Sequence, residues 1–219
     1  MRVKLCGLKR AGEVRLAAEL GAWACGFVFH PPSPRHLSVR EAASLSREAE
    51  GLVRVGVFAR QEVEAILWIA DRVGLDAVQL HRPWRPEEVT RLQRAGLQVI
   101  GLVRPGAVPG GDPWCQGPRP DLWLVEPEAG GMGGTGVARD WAALAARMVG
   151  TAFPRPMLLA GGLTPENVTA AAEALEPEGV DVSSGIEKAP GLKDPGRMRA
   201  FMERVAEIDA QRAGRAGGG

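Results

Sequence analysis

Short apolar runs alternate with longer amphipathic segments along the whole 219-residue chain, and this alternation limits the fold more than any other feature. "RVKLC", "ACGFVF", "LVRVGVF", "DAVQL", "LQVIGLV", "DLWLVE", "PMLLAGG" and "GVDVSS" read as strands. Between them, "AGEVRLAAELG" closes at Gly21, "SVREAASLSREAE" has Ser38 as its natural N-cap, and "TPENVTAAAEAL" offers Thr164 as a cap with Pro165 at the first helical position. Alternating β and α segments imply a parallel sheet. Eight repeats in one chain of this size predict a single-domain (β/α)8 TIM barrel over residues 1–209. The runner-up is an open doubly wound sheet, but no GxGxxG follows the first strand. After the fifth strand, "RPGAVPGGDPWCQGPRP" is too rich in Pro and Gly for a regular helix, so the fifth helix is expected to be degenerate. The last helix is expected from about Pro195 to Asp209, and 210–219, "AQRAGRAGGG", is expected to be a disordered tail.

Charge and composition remove several function classes. With 27 basic and 26 acidic residues there is no footprint for nucleic acid or for a membrane surface. Cysteines at 6, 25 and 115 form no CxxC, and histidines at 30, 36 and 81 have no zinc-ligand spacing. Neither a signal-peptide core nor a membrane-spanning run is read. A cytoplasmic protein acting on a small molecule, as monomer or homodimer, is the expectation.

A barrel strand alternates its side chains between the interior and the helix-facing surface. In "RVKLC" Val3 and Leu5 share one face, and Lys4 and Cys6 the other. By the same parity Gln79 and His81 point in from the fourth strand, Glu126 from the sixth, and Asp181 and Ser183 from the eighth. Buried charges need partners, and the bland reading of Lys4 and Asp181 is a mutually satisfied plug low in the barrel. Cys6, His81 and Glu126 differ, because each ends its strand, where the catalytic groups of such barrels sit. Free cysteines are by default inert filler, but Cys6 followed by Gly7 at a strand end has a reactive placement.

"AGG" at 160–162 and "SSG" at 183–185 end strands seven and eight. Backbone amides at this pair of loops hold phosphate in many barrels. The later "GGMGGTG" has no GK[ST] and reads as a covering loop rather than a P-loop.

Taken together, "KLCGLKR", "GFVFHPPSPRHLS", "VGVF", "VQLH", "GGMGGTG", "LAGGLTPENV" and "VDVSSGIEKAPGLKD" resemble the phosphoribosylanthranilate isomerase family, in the right order from residue 4 to about 201. The resemblance implies an acid/base Amadori rearrangement in tryptophan biosynthesis, with no metal or organic cofactor and a phosphorylated aminoaldose as substrate. It implies Cys6 as the base and Arg35 facing the anthranilate carboxylate. Phosphate would be held by Gly161, Gly162, Ser184 and Gly185, with His81 and Asp181 counted among the substrate-binding residues. Three positions depart from the pattern: Glu126 stands where the family has its aspartate acid, Arg82 replaces a glycine, and Lys9 a threonine. Glu126 is expected to be the acid; the bland alternative pairs it with Arg82 or Lys9 at the rim. The rival reading for the whole chain is a degenerate barrel that binds a phosphorylated ligand without turning it over. Of neighbouring phosphate-binding barrels, an epimerase would need more strand histidines than His81 and an indole-glycerol-phosphate synthase more interior lysines than Lys4.

Overall fold

Eight parallel strands close into one barrel in the computed structural model: β1 (Arg2–Cys6), β2 (Ala24–Val28), β3 (Val53–Phe58), β4 (Ala77–Leu80), β5 (Gln98–Val103), β6 (Leu122–Val125), β7 (Met157–Leu159) and β8 (Gly179–Val182). The structure describes residues 1–104, 118–126, 141 and 155–216. Closure is made by β1, whose Lys4 is in register with Ala24 of β2 on one side and Asp181 of β8 on the other.

The alternation sorts side chains as expected. Val3, Leu5, Val78, Leu80, Val180 and Val182 pack outward into the core shared with the helices. Ala24, Val55, Ala77, Ile100, Leu122, Leu124 and Leu158 fill the interior. Small residues on β2 and β4 face larger ones on β5 and β6, which suits a narrow barrel packed solid. Lys4, Gln79 and Asp181 are buried in the same interior.

Helices α1 (Ala11–Glu19), α2 (Val39–Ser46), α3 (Val63–Val73), α4 (Pro86–Arg94), α5 (Val168–Leu175) and α6 (Pro195–Ala216) cover the outside. Ser38 caps α2 as expected: its Oγ accepts from the Glu41 N–H at 3.3 Å while the Glu41 carboxylate accepts from the Ser38 N–H at 2.8 Å. The α5 expectation needs correcting, since its first residue is Val168 and not Pro165. Asn167 Oδ1 accepts from the Thr164 N–H at 2.8 Å and its Nδ2 donates to Gly162 O at 3.0 Å. These bonds fold 164–167 into a turn that ties the helix to the end of strand seven. The C-terminal expectation is corrected too, because α6 continues past Asp209 to Ala216. Arg212 donates to Ala172 O at 2.9 Å and to Pro177 O at 3.3 Å, anchoring a segment that has little apolar surface to bury. The Pro/Gly-rich segment after β5, apart from Arg104 and its last residues, and the loop "GGMGGTG" lie outside the described residues. No helix among the described residues is long and apolar enough to cross a membrane.

Beyond the expected elements, β9 (Glu187–Ala189) and β10 (Leu192–Lys193) form a small antiparallel hairpin before α6. It seats on the loop between β2 and α2: a Cβ at Gly191, where φ is +75°, would fall 2.4 Å from Pro34 O. That seating brings Glu187 to Arg35.

The plug reading of Lys4 and Asp181 fits the geometry, with Nζ 2.9 Å from Oδ1 and the lysine side chain fully buried. Burial disfavours the ammonium, yet Asp181 and Cys6 outweigh it and hold Lys4 above its ordinary value. Asp181→Asn therefore leaves a buried cation uncompensated and should cost about 3–5 kcal/mol in denaturant unfolding. A loss under about 1 kcal/mol would mean that water reaches the pair.

Candidate active site

Every interior-facing strand end opens on the same face of the barrel. Cys6 is the last residue of β1, and its Cα partner on β2 is Gly26. A Cβ at Gly26 would lie 2.8 Å from Cys6 Sγ, so this glycine leaves the thiol its space. Burial pushes the thiol above its ordinary range; Lys4 and Lys193 pull it down and Asp181 pushes it further up. At rest Cys6 is a protonated thiol with two cations close enough to favour its ionisation.

Glu126 follows β6 directly, with β7 and β8 between it and β1 on the shorter way round. Its N–H donates to Val103 O at 3.0 Å, which fixes the backbone at the strand end. Its Oε2 lies 3.6 Å from His81 Nε2. Burial holds His81 below the usual histidine range, with Glu126 opposing and Arg104 adding to the effect. The imidazole is thus mainly neutral at pH 7. Gln79 Nε2 approaches Nδ1 at 3.5 Å, which suits the tautomer with its hydrogen on Nε2, toward Glu126.

The two gained cations are not on Glu126. Arg82 turns outward and donates to Glu88 at 2.6 and 3.2 Å and to Gln61 O at 3.1 Å, clamping the strand-four loop to α4. Lys9 Nζ donates to Pro34 O at 3.0 Å. Among the described residues, His81 is the ionisable side chain paired with Glu126.

Arg35 lies over Gly7, where φ is +75° and a Cβ would come within 2.6 Å of Arg35 Cδ. Its Nε and Nη2 donate to the two oxygens of Glu187 at 2.7 and 2.8 Å. The guanidinium is therefore held by one edge. Asp181 Oδ1 accepts from Lys4 Nζ at 2.9 Å, and the charge of this carboxylate also acts on Cys6 and His81.

Gly161 and Gly162 follow strand seven with φ of +96° and +77°, a conformation that disfavours side chains. Ser184–Ile186 form a single 3-10 turn after β8. A Cβ at Gly185 would fall 1.7 Å from Leu163 O, so only glycine lets these two loops meet. Arg197 Nε donates to Gly185 O at 2.9 Å and steadies the turn from α6.

Three members of this site escaped the sequence reading. Arg104 has the parity of Ile100 and Leu102, and strand alternation alone could have flagged it. Glu187 and Lys193 carry no such signal, because the hairpin that brings them under Arg35 and Cys6 depends on tertiary contact.

The family model for N-(5'-phosphoribosyl)anthranilate isomerase matches residues 3–204. An N-(5'-phosphoribosyl)anthranilate isomerase of Rubrobacter xylanophilus is 42% identical over 203 residues, covering 92% of this chain and 97% of that one. The crystal structure of phosphoribosyl anthranilate isomerase from Thermus thermophilus superposes with a TM-score of 0.80 at 33% identity, covering 95% of this chain and 100% of that one. A further structure, of the isomerase in complex with reduced 1-(o-carboxyphenylamino)-1-deoxyribulose 5-phosphate, has a TM-score of 0.74 at 31% identity, covering 94% of this chain and 99% of that one.

Proposed function

The chain belongs to the N-(5'-phosphoribosyl)anthranilate isomerase family, and from that premise we propose how the mouth of its barrel carries out the reaction. It is an isomerase of tryptophan biosynthesis, converting N-(5'-phosphoribosyl)anthranilate to 1-(2-carboxyphenylamino)-1-deoxyribulose 5-phosphate. The observation that carries the residue assignment is the pairing of a thiol and a carboxyl at two strand ends of one face, Cys6 and Glu126.

Protonated Glu126 donates to the furanose ring oxygen as the C1′–O bond breaks and the anilino nitrogen forms an iminium. Cys6, as thiolate, removes the C2′ proton, and those electrons neutralise the iminium to give an enolamine. Protonation at C1′ and loss of the C2′ hydroxyl proton then yield the ketone. Acid and base must work on different atoms of one sugar, which suits groups on separate walls of the barrel. His81, neutral and beside Glu126, steadies that carboxyl and contacts the sugar. Asp181 acts from beneath, by keeping the Lys4 charge under Cys6.

Arg35 receives the anthranilate carboxylate on the guanidinium edge not used by Glu187. Phosphate rests against the backbone of Gly161–Gly162 and Ser184–Gly185. The setting we propose is cytoplasmic, with a phosphorylated small molecule as partner.

The phosphate placement has its own test. A β-branched side chain at Gly162 strains a backbone with φ of +77° and shifts the amides of the loop. Gly162→Val should weaken binding of the reduced product analogue at least about tenfold, with an unchanged circular dichroism spectrum. The dephosphorylated analogue should bind both proteins alike. Equal affinity of wild type and variant for the phosphorylated form would overturn the placement.

A further inference from the structure

One hydrogen-bonded chain runs from Arg35 to the backbone of Cys6. Arg35 grips both oxygens of Glu187, and the Oε1 of that carboxylate also accepts from Lys193 Nζ at 2.9 Å. Lys193 donates onward to Ser183 O at 3.0 Å, and Ser183 Oγ donates to Cys6 O at 3.1 Å. The Glu187 side chain is 5% exposed and that of Lys193 is fully buried. We propose that Glu187 is a positioning residue for the isomerisation, aiming the free edge of Arg35 at the substrate carboxylate while holding Lys193 against the segment beside Cys6.

The physical case rests on charge and on geometry. Arg35 and Lys193 are two cations sharing a small, largely buried volume, where they repel one another. One carboxylate between them makes the trio net positive by one charge, enough to attract an anion without two cations facing each other. Two parallel N–H···O bonds also stop rotation about the Arg35 Cδ–Nε bond, so the Nη1 edge points one way. A pre-aimed guanidinium loses less freedom when a carboxylate arrives. The backbone is shaped for this contact at both ends, through the close approaches of Gly7 to Arg35 and Gly191 to Pro34. Because Ser183 leads into the Ser184–Gly185 turn, the same carboxylate also steadies the phosphate side.

This inference rests on the reading of Arg35 given above, and its test separates the two. Affinity is measured for the reduced product analogue and for a counterpart lacking only the ring carboxylate, with Glu187→Gln and Arg35→Ala beside wild type. Glu187→Gln should lose at least about tenfold for the carboxylated analogue and less than about threefold for the counterpart. Arg35→Ala should show the same selective loss, and the double variant little more than either alone. Equal weakening of both analogues by Glu187→Gln would reduce the residue to a structural ion pair and overturn the proposal. So would an intact carboxylate preference in Glu187→Gln when Arg35→Ala has lost it. A preference intact in Arg35→Ala would overturn the Arg35 reading, and this inference with it. Should Glu187→Gln fail to fold, Glu187→Asp keeps the charge on a shorter stem and should show an intermediate loss; full preference there also overturns the proposal.

Discussion

Replacing Cys6 by serine should lower kcat at least about a hundredfold while the barrel stays folded. The two side chains are close in size, and Gly26 already leaves the space that Sγ occupies, so packing changes little. What changes is acidity: a serine hydroxyl does not ionise in the accessible pH range, whereas the thiol does. A hundredfold loss corresponds to about 2.7 kcal/mol of transition-state stabilisation. The wild-type pH profile carries a related expectation. The proposed base is the thiolate, and burial holds the thiol above its ordinary range against the pull of Lys4 and Lys193, with Asp181 adding to the rise. The kcat/KM should therefore climb from pH 7 toward pH 9 as far as the thiol sets it. Turnover of Cys6→Ser within a few-fold of wild type would return Cys6 to the role of core filler.

Glu126→Gln should nearly abolish turnover, and Glu126→Asp should keep a substantial part of it. Glutamine matches the shape of glutamate but has no proton to give to the ring oxygen. Aspartate keeps the acid on a stem shorter by one methylene, about 1–1.5 Å. A misplacement of about 1 Å can cost on the order of a hundredfold, so the aspartate variant reports how tightly the site is built around the longer side chain. The rim-pairing alternative loses its partners here, since Arg82 is on Glu88 and Lys9 on Pro34 O. Rates of the two variants under saturating substrate decide the role: similar activities would mean that the ring-opening proton comes from another group.

The barrel and its polar face were legible because period-2 alternation is a strong local signal. It assigns Lys4, Cys6, Gln79 and Asp181 to the interior, where the structure has them buried. Conformations set by a single turn are less so: Thr164 Oγ1 accepts from the Glu166 N–H as a cap would, but Asn167 also bonds back to the Thr164 N–H and to Gly162 O, and the regular helix starts only at Val168. Long side chains were the least legible. Nothing local says that Arg82 folds back onto Glu88 instead of reaching over the barrel mouth. Nor does it say that Arg35 meets Glu187, 152 residues away in sequence. The second destination follows from where the β2–α2 loop and the hairpin come to rest on each other.

Alkylation of Cys6 tests the central claim most directly. Small iodoacetamide at alkaline pH is followed by mass spectrometry at each cysteine, with residual turnover of N-(5'-phosphoribosyl)anthranilate measured in the same samples. Cys25 is a poor competitor, buried with its thiol pushed up to about 12. The account predicts that activity falls in proportion to modification at Cys6 and that the reduced product analogue protects both together. Full turnover from protein stoichiometrically alkylated at Cys6 would contradict it.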